Sequence, residues 1–181
     1  MLTEKEAIRI SKFLSLVLRH QPELIGLEPD SAGWVLVDDL LHKMKGKGLD
    51  LTTDELQYMV DTNNKKRFAL SEDKKRIRAS QGHSIAVDLG YSKAVPPAVL
   101  FHGTAEKNKD AIFSQGMQKM TRQHVHLSSD TETAMAVGKR HGKPLVLKVL
   151  AGKMHEAAHP FFLSANGVWL TEVVPVAYIC L

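Results

Sequence analysis

Two consecutive prolines, Pro96 and Pro97, divide the chain into two segments with different hydrophobic patterns. Proline fixes the backbone φ angle and lacks an N–H group, so the pair predicts a stiff connector between folded regions. A chain of 181 residues, 44% of them hydrophobic, is long enough for one domain or for two small lobes with an interface. We therefore predict an N-terminal lobe over residues 1–92 and a C-terminal lobe over residues 98–181.

The N-terminal segment carries the start signals of two helices. Thr3 with Glu6, and Thr52 with Glu55, have the spacing of a capping box, in which the paired residues satisfy free backbone N–H groups. The remaining elements follow from hydrophobic periodicity and from the positions of glycine and proline. The predicted helices cover residues 3–20, 38–45 and 52–62, and the predicted strands cover 33–37, 67–70 and 76–79. This order, ending in a hairpin, is that of a winged helix with the hairpin as its wing.

The C-terminal segment alternates short strands with short helices. Ser129 and Glu132 again have the capping-box spacing, which predicts a helix that starts at Ser129. The predicted strands cover residues 99–102, 124–127 and 144–150, with one or two more within 168–179, and the predicted helices cover 105–115 and 129–138 or 129–142. The whole chain is therefore assigned to the α+β class.

Basic residues are concentrated in the predicted hairpin. Residues 65–78 contain seven lysines and arginines against two acidic residues, a local charge of +5, whereas the whole chain carries only +4. Such a cluster can bind nucleic acid. It can equally be a solvated hairpin whose lysines keep its edges from pairing with other chains, and charge alone favours that alternative.

Composition and motifs exclude several classes of protein. The chain has no apolar stretch approaching the roughly eighteen residues of a membrane span, and its start mixes acids with bases, so no signal peptide is expected. Its single cysteine, Cys180, suits a reducing compartment, and we expect a cytoplasmic protein. The glycine-rich loops of Rossmann and P-loop nucleotide sites and the Gly-x-Ser-x-Gly motif of serine hydrolases do not occur.

Alternating polar residues near position 125 predict a strand face in the C-terminal lobe that lines a cleft or is turned to solvent. Arg122, His124, His126 and Ser128 lie two residues apart, so on a strand they share one face that a core would not accept. Histidines at 102, 124 and 126 could in principle bind zinc, but no carboxylate or cysteine completes such a site, and we expect no metal.

Two short polar segments of the N-terminal lobe have both a structural and a functional interpretation. Arg19 and His20 close the first helix, where cations are stabilised by the helix dipole without any further role. The segment 78–84, which ends in Gly82-His83-Ser84, combines hydrogen-bond donors with a glycine that permits close backbone approach. Ser84 could also be an ordinary turn residue.

Taken in order, these segments resemble the RNA 2′-phosphotransferase family, the NAD-dependent enzymes that remove the 2′-phosphate left at tRNA splice junctions. The resemblance covers nearly the whole chain, from residue 11 to residue 171. Its matching segments are 11–15, Leu18-Arg19-His20, Gly33-Trp34, Lys65-Lys66-Arg67-Phe68, 77–84, His102-Gly103-Thr104, 125–128 and 166–171.

The resemblance implies a fold and a set of site residues. The fold is an N-terminal winged-helix RNA-binding lobe joined to a C-terminal ADP-ribosyltransferase-like NAD-binding lobe. The implied catalytic residues are Arg19, His20, Arg67 and Arg122. The implied NAD-binding residues are His102, Gly103, Thr104, His126, Ser128, Asn166 and Gly167. With this family in view, the residues expected to contact RNA are Lys65, Lys66, Arg76, Arg78 and His83.

The resemblance also implies a reaction. A 2′-phosphate oxygen of the RNA attacks the nicotinamide ribose of NAD, and the ribose 2″-hydroxyl then attacks the phosphorus. The products are 2′-OH RNA, nicotinamide and ADP-ribose 1″,2″-cyclic phosphate. The implied partners are NAD as co-substrate and a tRNA-like RNA with a 2′-phosphate, without a membrane or an obligate protein partner. The family carries an apolar residue, here Val168, where many ADP-ribosyltransferases have a glutamate, although Glu172 lies nearby.

Two other functions are compatible with these motifs. One is an ADP-ribosyltransferase that caps the terminal phosphates of nucleic acids with the same NAD lobe. The other is a non-catalytic winged-helix module that binds RNA or DNA beside a degenerate second lobe. The intact His102-Gly103-Thr104 and Asn166-Gly167 motifs argue against the second alternative.

Overall fold

The structure, a computed structural model, describes residues 3–63 and 65–181. The chain divides into two compact units, Met1–Gly90 and Tyr91–Leu181, and each has its own hydrophobic core. Both units contain helices and antiparallel strands, so the predicted α+β class is confirmed. Within the described residues, no helix is both long enough and apolar enough to cross a membrane.

The N-terminal unit packs its helices against a small antiparallel sheet, whose strands lie in the order β1 (Val35–Leu36), β3 (Arg76–Ala79) and β2 (Phe68–Leu70). Both predicted capping boxes are present, since Thr3 and Thr52 exchange hydrogen bonds with Glu6 and Glu55. Apolar side chains of the first helix, including the fully buried Leu14, pack in one core with residues of the sheet. The elements are α1 (Glu4–Arg19), β1 (Val35–Leu36), α2 (Val37–Lys45), α3 (Thr53–Asp61), β2 (Phe68–Leu70) and β3 (Arg76–Ala79), with a 3-10 turn at Pro22–Ile25.

The C-terminal unit is built from short antiparallel strands. These are β4 (Leu100–Ala105), β5 (Met117–Gln118), β6 (Val125–Leu127), β7 (Pro144–Val149), β8 (Phe161–Leu163), β9 (Trp169–Thr171), β10 (Val173–Val174) and β11 (Ile179–Cys180). They form sheets of order β11-β7-β4, β6-β9-β8 and β10-β5. Mutual hydrogen bonds between the backbones of Phe101 and Ser128 connect the first two of these sheets. The helices are α4 (Lys109–Gln115), α5 (Thr131–Gly138) and α6 (Ala151–Glu156), with 3-10 turns at Glu106–Asn108 and Val176–Tyr178.

Two predicted helix starts in the C-terminal unit are wrong. The helix expected from residue 105 begins at Lys109, because β4 continues to Ala105 and a 3-10 turn follows; Thr104 therefore lies inside a strand. Helix α5 is capped by Asp130, whose carboxylate accepts from the backbone N–H of Thr133 at 2.6 Å, rather than by Ser129. The prediction contains no counterpart of helix α6 or of strands β5 and β8.

Gly103 is a point of close approach between β4 and α5. A Cβ atom built on Gly103 would lie 1.7 Å from the carbonyl oxygen of Ala134 in α5. Backbone atoms fill this space, so a side chain could enter only if the helix moved away. Helix α5 can therefore pack on β4 only because residue 103 has no side chain.

Replacing Gly103 by alanine is expected to destabilise the C-terminal unit by about 3 kcal/mol, because overpacking forces the backbone to shift. Urea unfolding followed by circular dichroism measures the change. The control is Gly46→Ala, at an exposed site with an ordinary φ of −61°, which should alter the free energy of unfolding by only about 0.5 kcal/mol. Equal stability of the Gly103→Ala variant and the wild type would contradict the close packing of α5 on β4.

Candidate functional site

The C-terminal end of α1 brings two of the predicted catalytic arginines together. Arg19 is the last residue of the helix, and its Nη2 donates a hydrogen bond to the backbone carbonyl of Arg67 at 3.3 Å. These residues are separated by 48 positions in sequence. The backbone at Arg67 is fixed further, because its carbonyl also accepts from the N–H of Ser80 at 2.9 Å. Both arginine side chains are half-buried.

His20, the residue after α1, is held by a segment from the end of the hairpin. Its Nδ1 lies 2.9 Å from the hydroxyl oxygen of Ser84. The backbone N–H of Ser84 donates to the carbonyl of Arg19 at 2.9 Å and thereby satisfies an acceptor that the helix end leaves open. Ser84 therefore fixes both the helix end and the histidine ring.

His83, the neighbour of Ser84, is buried, with only 1% of its surface exposed. Burial, reinforced by the charges of Arg19, His20 and Arg78, lowers its pKa to about 4, so the ring is neutral at pH 7. Within the described residues, neither ring nitrogen has a hydrogen-bond partner. The ring is therefore not on the surface to contact RNA directly, which differs from its predicted position.

The pKa of His83 implies a loss of stability in acid. The folded-state pKa of about 4 lies below the ordinary value of 6.5, so the unfolded chain binds the proton more readily. Stability should fall as the pH decreases from 6.5 towards 4. In His83→Phe, which keeps a ring but cannot be protonated, the loss between pH 7 and about pH 4.5 should be about 2 kcal/mol smaller. Urea unfolding at both pH values tests this, and equal losses in the two proteins would contradict it.

Two arginines of the basic hairpin form contacts with other residues of the N-terminal unit. Arg78 stacks on the ring of Trp34, with its guanidinium carbon 4.5 Å from the ring centroid, and donates to the carbonyl of Ala32 at 3.2 Å. Arg76 lies 5.6 Å from the same ring and 3.9 Å from a carboxylate oxygen of Asp30. These contacts give both arginines a structural role in holding the segment before β1 against β3.

The remaining basic residues expected to contact RNA are more accessible. Lys65 and Lys66 are exposed and lie just before Arg67 and β2. Lys66 adopts a positive φ of 39°, and its carbonyl accepts from the hydroxyl of Ser80 at 2.8 Å. The structure thus places these lysines beside the arginine pair.

In the C-terminal unit, His102 and His126 form one polar arrangement across β4 and β6. Nδ1 of His102 lies 3.0 Å from the backbone carbonyl oxygen of His126. Burial lowers the pKa of His102, the hydrogen bond to His126 opposes this, and the charges of Arg122 and His141 lower it further. Since a carbonyl only accepts, Nδ1 carries the proton of the neutral ring, and Nε2 is left as an acceptor.

Arg122 and His126 are also neighbours. Nη1 of Arg122 donates to Nδ1 of His126 at 3.4 Å, and the side chain of Arg122 is exposed. His124, expected on the same face, instead packs its ring 5.6 Å from that of Phe162, and burial lowers its pKa despite the opposing charge of Glu172. The predicted polar face therefore includes Arg122 and His126, while His124 has a packing contact.

The other predicted NAD-binding residues have identifiable structural roles. Thr104 is buried, and its hydroxyl oxygen accepts from the side-chain amide of Asn108 at 3.0 Å. Asn166 lies in the turn between β8 and β9, where its Oδ1 accepts from the hydroxyl of Ser164 at 2.7 Å. Gly167 follows with a φ of +78°, which suits glycine, and a Cβ atom there would meet no other atom within 4 Å. No cluster of metal-binding side chains occurs in residues 3–63 and 65–181.

The sequence was compared with known protein families and with individual proteins. Residues 5–173 match the sequence model of the family described as RNA 2′-phosphotransferase, Tpt1/KptA family. A protein of Flavobacterium johnsoniae named as a probable RNA 2′-phosphotransferase is 52% identical over 178 residues, which cover 98% of each chain. A protein of the same name from Hahella chejuensis is 53% identical over 171 residues, or 94% of this chain and 92% of the relative.

A third protein with that name, from Agrobacterium fabrum, is 54% identical over 169 residues, which cover 93% of this chain and 91% of the relative. These relatives match almost end to end, so the similarity includes both compact units. The resemblance inferred from the short motifs is confirmed. The chain belongs to the RNA 2′-phosphotransferase, Tpt1/KptA family.

Proposed function

We propose that the protein is an NAD-dependent RNA 2′-phosphotransferase that removes an internal 2′-phosphate of the kind left at a tRNA splice junction. The main observation behind this proposal is that Arg19, His20 and Arg67 lie close together in the N-terminal unit. Two arginines and a histidine beside exposed lysines make a site for a phosphate dianion. Family membership supports the same reaction.

We assign the N-terminal unit as a winged-helix RNA-binding lobe and the C-terminal unit as an ADP-ribosyltransferase-like lobe. The order α1-β1-α2-α3-β2-β3, with β2 and β3 paired as an antiparallel hairpin, supports the first assignment. The antiparallel sheets that meet at Phe101 and Ser128 are compatible with the second.

The residues of the N-terminal unit act on the RNA phosphate. Arg19 and Arg67 hold the 2′-phosphate through charge-assisted hydrogen bonds and stabilise charge on the phosphoryl oxygens. Arginine suits this task because it stays protonated throughout the pH range of the protein. His20 orients a phosphate oxygen or donates a proton to the departing RNA 2′-oxygen, and Ser84 keeps the imidazole in position.

The side chains of the C-terminal unit fit NAD by their donor and acceptor types. The neutral His102 offers Nε2 as an acceptor for a ribose hydroxyl. The exposed Arg122 is the fourth proposed catalytic residue, and it offers a cation that clamps the 2′-phosphate or a neighbouring phosphate together with Arg19 and Arg67. The other proposed NAD-binding residues are Gly103, Thr104, His126, Ser128, Asn166 and Gly167. When bound, NAD supplies an electrophilic ribose carbon with nicotinamide as the leaving group.

The test uses a short synthetic RNA with one internal 2′-phosphate, incubated with the protein and NAD. We expect nicotinamide, 2′-OH RNA and ADP-ribose 1″,2″-cyclic phosphate, identified by mass spectrometry, and no products from the same RNA without its 2′-phosphate. A stable ADP-ribosyl group on a terminal phosphate, with the 2′-phosphate retained, would contradict the proposal and favour a capping enzyme.

A further inference from the structure

A long groove runs between α1 and α3 on the N-terminal unit, with a volume of about 1180 Å³. Its walls are formed by both helices, and the segment that leads to β2 contributes Lys65 and Arg67 at one end. The groove therefore opens directly onto one of the proposed phosphate-binding arginines. Nothing in the proposed reaction so far uses the rest of it.

The charges along this groove are separated rather than mixed. Glu4 lies in the first turn of α1, and Asp54 and Glu55 lie in the first turn of α3. Arg67 follows α3 in sequence, and its carbonyl accepts from Arg19 at the opposite, C-terminal end of α1. Lys12, at the middle of α1, lies eight positions after Glu4, which corresponds to about 12 Å of helix. Together with Lys65 and Arg67, it makes the other half of the groove basic. An anionic ligand would therefore occupy only the half next to Arg67.

Two apolar side chains of the groove are unusually exposed. Tyr58 on α3 has 68% of its surface exposed, and Ile8 on α1 has 50% exposed. Both line the groove, and neither belongs to the core of the unit. An aromatic ring beside lysines and an arginine is the combination that proteins use for single-stranded nucleic acid, since the bases stack on the ring while the cations hold the backbone.

We propose that the basic half of this groove binds the unpaired nucleotides next to the 2′-phosphate, with one base stacked on Tyr58 and the backbone phosphates near Lys12 and Lys65. The proposal rests on the proposed function, because it takes the RNA substrate as the ligand. The acidic end repels phosphate and limits the site to a short stretch of RNA. The protein thus recognises a 2′-phosphate in a single-stranded context through a stacked neighbour as well as through the phosphate itself.

Binding is measured without NAD, by fluorescence anisotropy of a labelled single-stranded RNA with one internal 2′-phosphate. Tyr58→Ala should raise the Kd roughly 5- to 50-fold, because base stacking is lost, while Tyr58→Phe, which keeps the ring, should bind like the wild type. The matched control is Leu24→Ala, which removes an apolar side chain that is 44% exposed and lies outside the groove. It should leave the Kd unchanged.

Lys12 gives a second and independent measurement. In Lys12→Ala, the slope of log Kd against log salt concentration should decrease by about one, as expected for the loss of one phosphate contact. Lys47→Ala removes an exposed lysine outside the groove and should keep the slope of the wild type.

The outcomes separate the groove from the reaction. Unchanged RNA affinity in both Tyr58→Ala and Lys12→Ala would overturn the groove proposal, even if the protein turns over 2′-phosphorylated RNA with NAD. Weaker binding in both variants supports the groove. If the wild type then binds this RNA but forms no nicotinamide, the proposed function fails while the groove remains an RNA site.

Discussion

Replacing Arg67 by alanine should lower the turnover of 2′-phosphorylated RNA by about 10³-fold, the scale of an arginine that stabilises charge in phosphoryl transfer. The side chain is half-buried, and the backbone around it is fixed by hydrogen bonds from Arg19 and Ser80 to the Arg67 carbonyl. Those bonds involve the main chain, so the substitution removes the guanidinium without breaking them. The measurement is nicotinamide release at saturating NAD and a fixed excess of RNA.

Two further variants show whether the loss is specific. Arg67→Lys keeps a charge but not the bidentate geometry, so it should recover only part of the activity. Arg9→Ala removes an exposed arginine of α1 that lies outside the proposed site, and it should keep turnover within about threefold of the wild type. If Arg67→Ala and Arg9→Ala lose activity equally, net positive charge rather than a phosphate clamp at Arg67 explains the effect.

The predicted helices α1 and α3 of the N-terminal unit agree with the structure because a capping residue close to each helix start marks where the helix begins. The capping boxes at Thr3 and Thr52 involve residues three apart, and both are present. In the C-terminal unit the same spacing gave a wrong start at Ser129, since Asp130 with Thr133 competes for the same turn and a carboxylate is an equally good cap. Strand β4 runs through Gly103 because its register is fixed by pairing with β7, in which the partner of Gly103 is Val146, 43 positions away in sequence.

The motifs predict which residues form the candidate site, but they do not predict how these residues are arranged. The motifs point to Arg19, His20 and Arg67, whereas the hydrogen bond between Arg19 and the Arg67 carbonyl is a tertiary contact that no local pattern encodes. For the same reason, the stacking of Arg78 on Trp34 and the burial of His83 were not foreseen. In each case a residue that its polarity would place on the surface forms contacts within the unit, and these contacts depend on the tertiary structure.

Replacing His20 by alanine should lower kcat by about 10²- to 10³-fold with a smaller change in KM, as expected for a group that transfers a proton or orients a reacting oxygen. The ring lies at the exposed end of α1, so its removal costs little packing. His42→Ala, at an exposed histidine on α2, is the matched control and should keep kcat within about twofold.

Substitutions of Ser84 test whether catalysis depends on the position of the His20 ring. Ser84→Ala removes the hydroxyl 2.9 Å from Nδ1 of His20 but keeps the backbone bond to Arg19, so kcat should fall about 10-fold while KM for RNA changes little. Ser84→Thr keeps the hydroxyl and should restore most of the activity. If His20→Ala retains the kcat of the wild type while Arg67→Ala does not, the phosphate is held by the arginines alone, and the role of His20 is wrong.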